Sequence, residues 1–515
     1  MPTYLSPGVY VEEVESGARP LEGVGTAVAA FVGLAEQGPF NAPTLVSNWT
    51  QFTEAFGGFV SGSYLAQSVY GYFMNGGGNC YVVRIGQNGS GGGGKGRPKE
   101  LPAGPQAVVG RFRMAALEGT PAGEISVEIT DPGGDAPAQE MFRVVVKRNG
   151  EQEEEFDRLT LGRGKSNVVT AVNTASKLIQ IEEIAGQGAV ERPPNGETSL
   201  AEAPPPAAVP TPRLSTDDYV GDVADRTGFG GLEAVDEVTM LCVPDLMSAY
   251  QQGAIDLETV QAVQLAMIAH CELMGDRVAV LDAPPGLNAQ QVKEWRVDKA
   301  GYDSAFATLY YPWIKVADPS TGQLAHMPPS GHVAGIWGRN DDTRGVHKAP
   351  ANEVVRGAIS LEVQLTKNEH DLLNPVGINC IRTFPGRGNR IWGARTLSSD
   401  PAWRYLNVRR LFNYLEESIL AGTNWVVFEP NDEALWAKIR RTIAAFLVNE
   451  WRKGALFGST PDEAFYVKCD GETNPAEGID AGQVVCEIGV APVKPAEFVI
   501  FRLSQFSGGT SLVTE

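Results

Sequence analysis
The chain is 515 residues long, 43% hydrophobic and 20% charged, with a formal net charge of −20 and a pI near 4.8. That length accommodates about two to four domains with sizeable cores, and the composition is ordinary for globular proteins. Acidity on this scale argues against nucleic acid as the main partner, because phosphate binding needs basic surface, and the longest apolar candidate, Val24 to Ala35, is too short to insert across a bilayer.

At the front, Tyr4 to Val14 reads as a strand, with Val9, Tyr10, Val11 and Val14 as its apolar positions and a flexible stretch to Pro20 behind it. It has no partner nearby in sequence, and an unpaired strand edge invites another chain. The opening Met1-Pro-Thr-Tyr lacks a basic region followed by an apolar run, so no signal peptide is expected. Two connector-like stretches follow, the glycine-rich Gly86 to Gly104 and the proline-rich Arg192 to Pro212. Between them, Met141 to Arg148, the turn Asn149-Gly150 and Glu151 to Leu161 predict a hairpin inside a small β-rich insert. Flanking the insert, Val238 to Val243, a helix over Leu257 to Met274 stopped by Gly275, a strand Arg277 to Asp282, a helix over Asn288 to Lys299 and a strand Phe306 to Val316 predict a largely parallel α/β layer. In the last third, Ser399-Asp400-Pro401 predicts a helix start, running to Gly422, and a second helix spans Asp432 to Lys453. Three strands are expected to follow: Phe465 to Asp470, Gln483 to Val490 and Glu497 to Phe506. The last carries Phe498, Val499, Ile500, Phe501 and Leu503 and mirrors the front segment as a second arm. A chain with an arm at each end links to its own copies without closing a small ring, which generates a polymer.

These segments carry a resemblance. Tyr4 to Val14 and Gly23 to Gly33 resemble the opening of contractile tail sheath proteins of phages, R-type bacteriocins and extracellular injection systems. Ala394 to Pro401, Asn407 to Tyr414, Trp425 to Asn431, Phe465 to Asp470 and Ile488 to Phe498 resemble their C-terminal part. The resemblance implies a multi-domain α/β subunit, α+β in its C-terminal part. Its expected divisions are an N-terminal arm 1–22, a middle domain 23–95 with 213–350, an inserted outer domain 96–212, a C-terminal core 351–494 and a C-terminal arm 495–515. It further implies stacked six-fold rings or a helix of copies around an inner tube, arms that complete neighbours' sheets, baseplate and tail terminator partners, sheath paralogues, and assembly in the bacterial cytoplasm as part of a phage tail or released tail-like particle. The extended lattice would be metastable, and its contraction would drive the tube through a target envelope without nucleotide or other cofactor. Gly17, Pro20, Pro492 and Pro495 stand where the arm connections would bend. Lys438, Arg441 and Arg452 lie along one side of the last long helix and suit weak, releasable contact with the tube; a solvated helix face is the plainer reading.

Signals for chemistry are weaker. Gly164-Lys165-Ser166 lacks the glycine that a phosphate loop needs at position 159, where Leu159 stands. Asp245 and Asp282 follow strand ends, where α/β enzymes keep catalytic groups, but read more simply as turn and cap residues. No metal-ligand spacing joins the five histidines, and the six cysteines hold no Cys-x-x-Cys pair and read as buried reduced thiols. An α/β hydrolase and a static shell protein are the alternatives to a sheath.

Overall fold
Short apolar runs such as Ala29–Gly33 and Val278–Asp282 are buried on both faces, as strands in the middle of a parallel sheet must be. The computed structural model describes residues 21–86, 105–109, 112–117, 125–133, 141–162, 166–183, 192–200, 214–318 and 322–502. The chain divides into two units, Met1–Gly89 with Pro212–Glu515, and Ser90–Thr211.

The larger unit is built on a nine-stranded sheet of β1 (Ala29–Gly33), β2 (Thr44–Val46), β3 (Cys80–Arg84), β4 (Met240–Cys242), β5 (Val278–Asp282), β6 (Ala307–Tyr311), β7 (Glu353–Val354), β8 (Ile378–Phe384) and β9 (Gly388–Ile391), in the order β7-β9-β8-β6-β5-β4-β1-β3-β2. The ladder from β3 through β1, β4, β5 and β6 to β8 is parallel, and only the outer strands run antiparallel. Side chains alternate between two cores. Ala30, Val32, Leu241, Ala279 and Leu281 share one with Val260, Val263 and Met267 of a helix over Leu257–Met274. Phe31, Val82, Met240, Val278 and Val280 share the other with Val69 and Tyr72 of α1 (Leu65–Met74) and with Val333, Ile336 and Trp337 of a helix over Ser330–Arg344. Gly331 and Gly335 let that last helix lie against the α1 backbone, since a Cβ at either would collide with main-chain atoms of Ser68 or Tyr72. The helix over Leu257–Met274, now α2, has Asp256 as its N-cap and stops at Gly275, whose φ of +74° is left-handed; Ser330–Arg344 is α3.

The C-terminal part is α+β. Helices α4 (Leu406–Thr423) and α5 (Glu433–Arg452) bury Leu411, Tyr414, Leu415, Ile439, Ile443 and Phe446 together, and strands β10 (Phe465–Lys468) and β11 (Glu487–Val490) lay Phe465, Val467, Ile488 and Val490 against this core. In the smaller unit, one sheet orders Gly196–Ser199, Ile125–Thr130, Met141–Arg148 and Glu151–Thr160, and another orders Gln106–Val109, Phe112–Ala116 and Ile179–Glu183. Phe112, Val127, Val144 and Ile181 anchor its own core.

Several elements differ from their sequence-based expectation. The expected strand over Phe306 to Val316 is two, Ala307–Tyr311 and Ile314–Ala317, because the chain turns at Pro312 and Trp313 and the second piece joins a separate three-stranded sheet. The helix expected over Asn288 to Lys299 is α-helical only over Ala289–Glu294 and widens to a π-helix over Trp295–Ala300. No helix starts at Ser399-Asp400-Pro401: Asp303 binds the Ser399 amide and hydroxyl, Asp400 turns back on the Ala402 amide, and α4 begins five residues after Pro401, at Leu406. Gly422 does not end α4, which runs one residue further; it leaves room for Leu21, which packs where a Cβ would stand. The expected third C-terminal strand is not a strand over Glu497–Arg502, which joins no strand among the described residues, and residues 503–506 lie outside the described residues.

Candidate functional site
Strands β10 and β11 pair antiparallel, Phe465 with Val490 through Lys468 with Glu487. Among the described residues they form a sheet of two, so each keeps one unpaired backbone edge. A two-stranded sheet is marginal by itself and gains from further strands. Tyr466 and Val485 expose apolar surface beside it.

The C-terminal segment leaves this region under restraint and then loses it. The Val493 amide donates to the Ala455 carbonyl at 3.3 Å, and the Asn407 side-chain amide donates to the Val493 carbonyl at 3.1 Å. Four residues on, the Arg395 guanidinium grips Glu497 with both arms, Nε to Oε1 at 2.9 Å and Nη2 to Oε2 at 2.5 Å, while Nη1 donates to the Asn374 carbonyl. Both side chains are largely buried, and the carboxylate beside it holds the Arg395 guanidinium above its ordinary pKa. Asn379 fixes Arg395 from behind by bonding its backbone on both sides at 2.8 Å. Directly after this clamp, Phe498, Val499, Ile500 and Phe501 are 74, 68, 78 and 84% exposed. Four consecutive large apolar side chains thus stand in water, an uncommon arrangement on a folded surface. The chain thus stays bound past Pro492 and Pro495, as far as Glu497. Leu503 lies outside the described residues.

The N-terminal segment is tied down as firmly. Leu21 sits in the α4–α5 core, and the Val24 amide donates to the Ser418 hydroxyl at 3.1 Å. Thr26 donates its hydroxyl to Asp341 of α3 and accepts at its carbonyl from Arg410 of α4. Arg410 and Asp341 form a buried ion pair at 2.6 Å, with the guanidinium over the Trp337 ring. Val9, Tyr10, Val11 and Val14, with Gly17 and Pro20, lie outside the described residues.

The three cations on α5 are brought to one partly exposed side, where none has a carboxylate within ion-pair distance among the described residues. The Lys438 ammonium stands 4.0 Å over the Trp425 ring, so it is steadied by a cation–π contact and not free in solvent. Arg441 leans back on the Ala437 carbonyl, and Arg452 is exposed in the last turn. The loop beyond Trp425 carries a feature that sequence reading missed: Phe428 is fully exposed and has a φ of +69°. A bulky residue in the left-handed region costs about 1–2 kcal/mol.

Asp245 and Asp282 are helix caps, and burial explains their unusual acidities. Asp245 accepts from the amides of Leu34 and Leu65 and the Ser63 hydroxyl at the start of α1, yet desolvation pushes its carboxyl up to about 6. Asp282 accepts from the Ser330 amide and hydroxyl at the start of α3 and is pushed up to about 7. Among the described residues no cluster of three His, Cys, Asp or Glu side chains is placed to hold a metal, and no helix is long and apolar enough to cross a membrane. Of the residues that organise these surfaces, sequence reading passed over Arg395, Arg410 and Asp341. The available signal was Arg409-Arg410 within an apolar helix, a placement that demands buried partners.

Residues 216–397 match a family model described as the phage tail sheath protein central domain, and residues 398–506 match one described as the phage tail sheath C-terminal domain. Together the matches run without a break over more than half of the chain. The tail sheath protein of Burkholderia phage BcepMu is 25% identical over 96% of this chain and 95% of its own. A putative prophage major tail sheath protein of Pseudomonas aeruginosa is 26% identical over 58% of this chain and 74% of its own length. The tail sheath protein of Vibrio phage KVP40 is 31% identical over 39% of this chain, which spans only 30% of that relative. Among solved structures, the anti-feeding prophage helical sheath in its contracted state superposes with a TM-score of 0.59 at 24% identity, covering 98% of this chain and all of that one. The sheath complex of an extracellular contractile injection system, PVC, in its contracted state gives 0.57 at 24% identity, covering 98% of this chain and 99% of that one.

Proposed function
The chain belongs to the contractile tail sheath family, and from that premise we propose that its β10–β11 edges receive the terminal arms of neighbouring copies, so that each subunit's fold is finished by others. It is a structural subunit of a contractile sheath, in helical association with further copies and with a baseplate. The observation that carries the reading is the pairing of an incomplete two-stranded sheet with an exposed apolar run, Phe498–Phe501, in the same chain.

The energetics support it. Each added strand contributes main-chain hydrogen bonds worth about 0.5–1.5 kcal/mol net apiece. Burying Phe498, Ile500 and Phe501 adds about 1.5–3 kcal/mol each, less the cost of ordering the segment. Such joints persist while weaker contacts between subunit bodies exchange. Contraction is then a passage between two lattices of the same subunit, released when a kinetic barrier falls. In this reading the C-terminal arm pivots between Glu497 and Phe498, which the Arg395–Glu497 clamp supports, and the N-terminal arm pivots ahead of Thr26, which the Arg410–Asp341 pair supports. Front residues Val9, Tyr10, Val11 and Val14 serve as the other lent strand.

Lys438, Arg441 and Arg452 face the inner tube, whose contacts must be weak enough to release on firing. The tail terminator caps the lattice, assembly takes place in the bacterial cytoplasm, and the smaller unit, Ser90–Thr211, serves as an outer domain that the joints do not need. Removing residues 498–515 tests the reading by negative-stain microscopy of the purified protein. Hollow striated cylinders from the full chain and soluble single subunits from the truncated one are expected; cylinders from both would refute it.

A further inference from the structure
The six cysteines are all free thiols, and their sequence positions suggest no pairing. The fold pairs two of them. The ladder ends at Lys468 and Glu487, and its antiparallel register continued by one step sets Cys469 opposite Cys486. Directly opposed residues in such a ladder have Cα atoms about 4.5–5.5 Å apart, inside the range that a disulfide spans. Both side chains belong to the α4–α5 core: Cys469 is buried in it and Cys486 packs against it from a half-exposed position. Each thiol is close enough to shift the other's acidity. Asn474 locks the arrangement. Its side-chain amide donates to Cys469 Sγ at 3.7 Å and to the Val485 carbonyl at 3.0 Å, and its carbonyl accepts from the Val485 amide at 2.7 Å. Arg440, bonded to the Cys469 carbonyl, supplies a nearby positive charge. The other four cysteines lie in the cores around the central sheet.

We infer that Cys469 and Cys486 are a modification site, a dithiol that closes to a cross-strand disulfide when the particle meets a low-molecular-weight disulfide outside a reducing cytosol. The more accessible Cys486 thiolate attacks one sulfur of the oxidant, forming a mixed disulfide and expelling one small thiolate. The Cys469 thiolate then attacks the Cys486 sulfur, forming the internal bond and expelling the second. The two protein protons end on the two small thiols, so two protein thiols and one disulfide become one protein disulfide and two thiols. The bond ties the ends of the sixteen-residue connection 470–485 and staples the sheet on which assembly is proposed to depend. Burial pushes both thiols up, Cys486 to about 12, so closure is slow at neutral pH and quickens as pH rises.

The test uses the intact full-length chain with oxidised glutathione, against reduced glutathione as control. Under denaturing conditions the thiol count is expected to fall from six to four, and peptide mapping without reductant is expected to join the segments that carry Cys469 and Cys486. C271S, altered at a buried thiol elsewhere, closes the same bond, whereas C486S does not. The oxidised wild type melts several degrees above the reduced form, and C486S melts alike in both. A glutathione adduct that persists on Cys486, a disulfide to any other cysteine, or an unchanged thiol count would overturn the inference, whatever becomes of the arm-exchange proposal.

Discussion

Arg395→Ala isolates the clamp that sets where the C-terminal arm becomes free. The substitution removes a bidentate guanidinium–carboxylate pair, the strong form of this interaction, whose side chains are only 10% and 16% exposed. It leaves Glu497 with one long contact, the Tyr405 hydroxyl at 3.4 Å. Breaking a buried pair costs about 3–5 kcal/mol when the remaining charge stays trapped. Glu497 stands in a surface segment and swings into water, so the cost is capped by release of that segment, at about 2–3 kcal/mol. Asn379 holds the Arg395 backbone independently, so the damage stays local. At about 1.4 kcal/mol per decade, opening of residues 493–497 becomes roughly 30- to 150-fold more frequent. The reporter is the Val493 amide, bonded to Ala455, followed by hydrogen exchange under native conditions. Exchange accelerated by one to two decades at Val493, with an unchanged rate in the parallel sheet, is expected. Exchange within twofold of the wild type would refute the clamp, and loss of protection throughout the unit would refute its local character.

Three further outcomes follow from the same geometry. Because burial holds the Asp282 carboxyl near 7 against an ordinary value of 3.8, the folded state keeps a proton that the unfolded chain releases; stability is highest below pH 4 in this contribution and is lost as pH rises toward 7, at about 1.4 kcal/mol per unit. Asp282→Asn flattens that slope, so the melting temperature of the variant gains on the wild type between pH 4 and pH 7, and parallel curves would contradict it. Gly422→Val drives a side chain into the place of Leu21 and is expected to free the N-terminal segment, with protease cleavage near residue 21 as the readout and an uncleaved segment as the contrary result. Lys438→Glu with Arg441→Glu leaves the subunit fold and its circular dichroism unchanged but abolishes co-assembly on the tube; unaltered co-assembly would return these residues to the role of a solvated helix face.

Sequence legibility followed how local each cause is. The helix over Leu257–Met274 was readable to the residue because its cap, its periodicity and its terminal glycine all lie within it. The hairpin at Asn149-Gly150 was readable for the same reason. The start of α4 was not, because Asp303, almost a hundred residues earlier, captures Ser399 and turns the cap-like signal into a loop. The segment Glu497–Phe501 has the composition of a strand but joins no strand among the described residues, so composition alone did not fix its conformation. The clamp residues escaped because a single arginine in a sequence discloses neither its burial nor its partner, and Glu497 stands 102 positions from Arg395. Asp245 and Asp282 were legible as caps, although the helices they serve begin far away in sequence.

A photo-reactive residue placed at Ile500 in otherwise intact, assembled protein tests the exchange of strands most directly. Irradiation is expected to join Ile500 of one copy to Phe465–Lys468 or Glu487–Val490 of another, seen as a dimer band and as cross-linked peptides from differently isotope-labelled subunits. Cross-links confined to a single label, or landing elsewhere on the neighbour, would contradict the account.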